Sequence, residues 1–202
     1  MTTKQLKMSL ICLVLGLMFT TTQIKAQALK INPRTSTMTI LGTTNVHNFE
    51  TKVTQISGEL VINSEKKVEK LFVQIPVKSI KSAEKLMDTK TYEAFNADKN
   101  PNISFQLTDA SAVKLSSKEI EATVIGNLTM AGITKKIAFK ASGVSTKQGL
   151  FEFKGSIPLK MTDFKMSPPT AMMGMMRVGD VITLKYDIYL EGNQQISALL
   201  DK

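Results

Sequence analysis

The chain of 202 residues has no tryptophan, a single histidine and a single cysteine, and only 6% of it is aromatic. Each shortage removes a class of chemistry. With His47 as the only imidazole, no His-rich metal site can be assembled, nor a Ser-His-Asp relay with a histidine to spare. The lone thiol, Cys12, lies inside an apolar run at residues 8–19 and is followed by Leu13, Val14 and Leu15, poor surroundings for a lipidated cysteine. That run falls short of the ~20 apolar residues a spanning helix needs. Preceded by Lys4 and Lys7 and followed by a polar stretch ending in Ala26, Gln27 and Ala28, it reads as a secretory signal peptide over residues 1–26. Cleavage after Ala26, with Ala28 as the other candidate, leaves a chain without disulfide, thiol nucleophile or Cys-ligated metal, expected in the periplasm or outside the cell. A glycine-rich phosphate loop, a nucleophile elbow and a dinucleotide fingerprint are also missing.

What the sequence does have is alternation. Leu71, Val73, Ile75 and Val77 share one face of a segment; so do Ile103, Phe105 and Leu107, then Phe151, Phe153, Ile157 and Leu159, then Ile182, Leu184, Tyr186, Ile188 and Leu190. A period of two marks half-buried strands, and many of them in one domain build a sandwich or a barrel. We expect strands at about residues 28–31, 35–42, 47–63, 70–78, 103–115, 120–130, 135–144, 150–161 and 181–191, with Gly58 as a bend in the long third one. Between residues 82 and 97 the alternation stops, and Met87, Thr91, Ala94 and Phe95 fall on one helical face before Asn100 and Pro101 end it. Short turns join neighbours in sequence order, so the simplest product is an all-β, eight-stranded antiparallel up-and-down barrel with one short helix between strands. It occupies residues 27–192 as a single domain, with residues 193–202 a polar tail.

The remaining polar features are weak. Removing Lys4, Lys7 and Lys25 leaves 23 basic against 17 acidic residues, a net charge of +6 spread among strands and turns. Such scatter reads as a solvated surface, or as attraction to anionic lipid head groups; nucleic acid is not expected without aromatic-basic interleaving. Asp88 and Glu93 are five apart and do not share a helix face, so they make no acid-base pair. His47, beside Asn48 and Phe49, reads as a structural or rim residue. Met172, Met173, Met175 and Met176 adjoin a Pro-rich loop at Pro168 and Pro169. Thioethers bind Cu(I), but flexible methionines equally suit a pliable lid over an apolar cavity, and that is the expectation here.

The order of several segments resembles the YceI-like family of lipid- and polyisoprenoid-binding proteins. They are Gly42 to Phe49 (GTTNVHNF), Met87 to Phe95 followed by Asn100-Pro101-Asn102-Ile103-Ser104-Phe105, Gly126 to Lys135 (GNLTMAGITK), Met161-Thr162-Asp163-Phe164, and Val178-Gly179-Asp180. The resemblance implies a lipocalin-like barrel that takes a long isoprenoid or other amphiphilic chain into its interior, in the periplasm or secreted, without catalysis and without a cofactor. It implies a lining drawn from the inward-facing sets: Val73, Ile75, Ile103, Phe105, Phe151, Phe153, Leu184, Tyr186 and Ile188; His47 and the four methionines are read from the residues themselves as a mouth or lid, and the doubled Met pair departs from the family pattern. Isoprenoid or other long-chain lipid is the expected partner, with transient membrane-surface contact and, from the resemblance alone, a homodimer. The alternative is a structural or stress-response interaction protein whose barrel is filled by Phe105, Phe151 and Phe153.

Overall fold

The computed structural model describes residues 27–63, 65, 67–115, 119–147 and 150–192; the expected leader and tail lie outside them. In chain order the elements are β1 (Gln27–Ile31), β2 (Thr37–Thr43), β3 (Asn48–Val53), β4 (Ser57–Ile62), β5 (Val68–Pro76), β6 (Ile80–Lys81), α1 (Lys85–Phe95), β7 (Asn102–Leu115), β8 (Glu119–Met130), β9 (Ile133–Lys147), β10 (Leu150–Lys160), β11 (Thr170–Ala171), β12 (Met176–Arg177) and β13 (Val181–Glu191). All strand pairings among them are antiparallel.

The register reduces these strands to eight staves. Both β1 and β2 pair with β13, one at each end of it: Ile31 faces Leu190, and Thr37 to Leu41 face Asp187 to Thr183. Beside them β4 pairs with β1 and β3 with β2, and beside those β5 pairs with β4 and β6 with β3. So β1/β2, β3/β4 and β5/β6 are each one stave with a break, and β7, β8, β9, β10 and β13 complete the ring. The result is a closed up-and-down barrel in sequence order, as the alternation predicts.

The break in the third segment is not at Gly58. It falls at residues 54–56, beside the 3-10 turn Val77–Ser79 on the neighbouring stave. The buried Ser79 joins the two: its Oγ donates to the carbonyls of Pro76 (2.7 Å) and Gln55 (3.2 Å), while its own carbonyl accepts from Thr54 N and Thr54 Oγ1, both at 2.9 Å. Gly58 serves close approach instead, since a Cβ there would press on the backbone of Phe72 and Val73 and on Ile31.

The helix is shorter than expected at both ends. Ser82 N and Oγ both donate to Asp88 Oδ1, at 2.7 and 2.8 Å, holding the entering chain, and Asn96 takes the left-handed conformation (φ 49°, ψ 56°) that closes the C-terminus. Phe95 and Ala97 are buried and anchor α1 over one end of the barrel. The 3-10 turn Met161–Phe164 also packs at this end, with Met161, Phe164 and Met166 buried. At the far end Leu29, Ile62, Phe151 and Leu190 form a buried layer.

Candidate binding cavity

Inside the barrel is a cavity of about 200 Å³. Every stave contributes to its wall: Met38 and Ile40, Val53 and Leu60, Val73 and Ile75, Ile103 and Phe105, Val124 and Leu128, Ile137 and Phe139, Phe153 and Ile157, and Leu184 and Ile188 are examples. All the lining side chains are alanine, aliphatic, methionine or phenylalanine, except Tyr186. Among the described residues, no charged or amide side chain lines this space.

The aromatic rings leave room because glycines on adjacent staves let them lie against the wall. Phe105 lies over Gly126, Phe153 over Gly143 and Tyr186 over Gly155; a Cβ at Gly143 would come within 2.6 Å of the Phe153 ring. Phe153 and Gly143 are direct cross-strand partners, as are Tyr186 and Gly155. Phe105 then meets Phe139 edge-on, with centroids 5.6 Å apart and planes at 62°. The interior is therefore a cavity and not a solid core.

Among the described lining side chains, Tyr186 carries the one polar atom. Its hydroxyl is buried without a hydrogen-bond partner, and burial raises its pKa above the ordinary tyrosine value.

Of the residues singled out in the sequence, Val73, Ile75, Ile103, Phe105, Phe153, Leu184, Tyr186 and Ile188 stand in the wall. Phe151 does not: it shares the inward face of β10 but lies opposite Leu190, in the layer that closes the far end, and is 1% exposed. His47 is exposed in the turn between β2 and β3, where its backbone closes on Thr44, and it contributes nothing to the wall. Neither do Met172, Met173, Met175 and Met176. They ride on the short β11–β12 hairpin, tied down by Asn45, whose Nδ2 donates to Met175 O (2.9 Å) and whose Oδ1 accepts from Arg177 N (2.8 Å). Met173 is fully solvent-exposed.

Much of the wall lies outside the residues that the sequence singles out. Met38, Ile40, Val124, Leu128, Ile137 and Phe139 follow the same period-two signal and could have been drawn from it. Phe95 could not, because a helix crossing a barrel end shows its burial, not its target.

The segments that carried the resemblance come together at the helix end. Thr162 N and Oγ1 donate to Asp180 at 2.9 and 2.7 Å, Gly179 N donates to Thr43 O at 2.8 Å, and Thr44 bridges to Val178. Asn100 lies against Gly132 in the β8–β9 turn, where Ala131 and Gly132 both have positive φ (48° and 78°). The hydrogen bonds from Thr162 hold the Asp180 carboxyl below the usual carboxylate range.

Comparison with known proteins agrees with this architecture. Among solved structures, the polyisoprenoid binding domain from Saccharophagus degradans implicated in plant cell wall breakdown superposes with a TM-score of 0.66, covering 84% of this chain and 100% of that one at 9% identity. BcnA of Burkholderia cenocepacia gives 0.63, over 79% and 98% of the two chains at 17% identity. The YCEI protein of Campylobacter jejuni gives 0.55, over 69% and 81% at 21% identity. At these identities the likeness is one of fold. No curated protein matches significantly. The YceI-like domain family matches residues 29–190, from the first inward leucine of β1 to the last of β13, and the chain belongs to that family.

Proposed function

We propose that this chain is an exported binder and carrier of a slender hydrophobic or amphiphilic molecule, with a polyisoprenoid such as a quinone tail or a polyprenyl lipid as the ligand. The observation that carries this is the wall itself: a cavity of about 200 Å³ whose described lining side chains carry a single polar atom, the Tyr186 hydroxyl. Its volume lies below the roughly 300–1,000 Å³ of clefts that take drug-sized ligands, which suits a narrow chain and not a bulky head. The polyisoprenoid-binding domain among the structural neighbours supports the ligand class. We read the protein as a binder and not an enzyme, needing no cofactor beyond the lipid.

The aromatic-on-glycine arrangement speaks against the filled-barrel interaction protein, because it keeps the large rings out of the space they would otherwise occlude. Val46, Met172, Met173 and Met175, exposed to between 64% and 105% on neighbouring loops, form an apolar tip suited to brief contact with a lipid surface. A homodimer and a periplasmic or secreted location complete the proposal.

The test is native mass spectrometry of the protein recovered from its exported location, followed by organic extraction. A stoichiometric isoprenoid is the expected result. A clean protein mass that stays unchanged after incubation with quinones and polyprenols would overturn the reading.

A further inference from the structure

The ladder between β9 and β10 is zipped at one end only. Pairing runs from Leu150↔Lys147 to Lys154↔Ser142 and stops there, although β10 continues to Lys160 and β9 reaches back to Ile133. Each strand is paired along this stretch on its other side, β9 with β8 and β10 with β13. What remains is a fork that opens toward the helix end of the barrel.

The sequence explains why the fork does not close. Continuing the register would set Pro158 against Ala138 and Lys160 against Lys136. Proline has no N–H to give to a ladder and is confined to strand edges, and like charges directly opposite each other destabilise pairing.

Both lips reach the cavity. Ile137, Phe139 and Ala141 on β9 and Ile157 and Leu159 on β10 line it, and all are half-buried, whereas Val124, Leu128 and Met130 on β8 are buried. The 161–164 turn packs against β9 as well as β10, and the Thr162–Asp180 bonds hold it there. Each end of the barrel carries buried packing among the described residues, Phe95 of α1 at one and the layer containing Leu29, Ile62 and Phe151 at the other.

We propose that ligand passes in and out sideways, between β9 and β10, with the 161–164 turn as the wedge that closes the fork. This rests on the reading of the cavity as a ligand site and adds the route and its gate. A slender apolar chain, with at most a single small ring at its end, can thread between the lips while the paired half of the ladder keeps the barrel intact; a wide fused-ring body cannot.

The test uses stopped-flow uptake of all-trans-retinol, an isoprenoid whose fluorescence rises in an apolar site. An Ala138→Cys/Pro158→Cys pair, joined by a short bismaleimide, ties the lips together; Gln106→Cys/Asn127→Cys, direct partners on the β7–β8 ladder, is the control. The only native cysteine, Cys12, lies in the expected leader. A gate slows uptake and release alike, by about ten-fold or more, while the equilibrium affinity holds. The control cross-link leaves both rates at wild-type values, and Asp180→Ala, which frees the wedge, speeds both by about three-fold. Wild-type rates in the tied fork, or equal slowing in the control, overturn the route while leaving the cavity a ligand site. Failure of the wild type to bind retinol or any polyprenol overturns both.

Discussion

The width of the cavity is decided by single residues, and by the smallest ones. Three glycines accept three aromatic rings from the next stave, so the interior side of each large residue is set by its neighbour's lack of a Cβ. Adding one is expected to force the ring inward. Gly143→Ala should cost about 1–3 kcal/mol through overpacking against Phe153 and weaken retinol binding at the same time; an unchanged melting temperature and affinity would show that the ring yields elsewhere. The Tyr186 hydroxyl makes the opposite case. It is buried with no partner, so Tyr186→Phe removes a desolvated group at no loss of packing and should leave stability unchanged or raise it by about 1 kcal/mol. A measured loss of that size in urea unfolding would mean the hydroxyl has a partner after all. At this scale the sequence was legible for side and not for depth. Alternation placed Phe105, Phe151 and Phe153 inward, but whether a ring fills, lines or plugs depends on register with Gly126, Gly143 or Leu190, which alternation does not contain.

Legibility of the elements divides the chain in two. From β7 onward each stave is one uninterrupted strand, and the expected bounds fall within about three residues of the observed ones, Val181–Glu191 coinciding with them. Before α1 the staves are broken, and the breaks are held by contacts between chain segments far apart, such as Ser79 Oγ to Gln55 O. A glycine was the visible signal for a bend, yet the bend went where a buried serine could satisfy two carbonyls. The 161–164 turn depends on a carboxylate in the same manner. Hydrogen bonds from Thr162 lower the Asp180 pKa, and those from Lys154 and Tyr189 lower that of Glu152. Because both folded values lie below the ordinary carboxylate values, each group stabilises the fold above that range and loses its contribution as pH falls through the folded pKa. Urea midpoints taken from about pH 7 to about pH 3 should therefore fall in the acid limb, and Asp180→Asn should flatten that fall while lowering the neutral-pH midpoint. An identical acid limb in the variant would remove Asp180 from the account.

For the molecule as a whole, the wall predicts how affinity depends on ligand length. Each buried methylene contributes about 0.8 kcal/mol, so binding should strengthen with each added isoprene unit and then level off once the cavity is full. A calorimetric series of prenols of increasing length tests this; affinity that tracks the head group and ignores the chain would contradict it. The family and the barrel were legible at this scale because motif order and strand count survive where individual contacts do not.

The cavity has a further consequence, expressed in volume. A folded barrel that encloses about 200 Å³ of apolar space occupies more room than its atoms need, and unfolding gives that room back to the solvent. Hydrostatic pressure should then distinguish the loaded from the unloaded chain by volume, where temperature separates them by binding energy alone. The unloaded protein is expected to unfold at markedly lower pressure than the same chain with a prenol inside, and the difference between the two transition volumes would measure how much of the space the ligand fills.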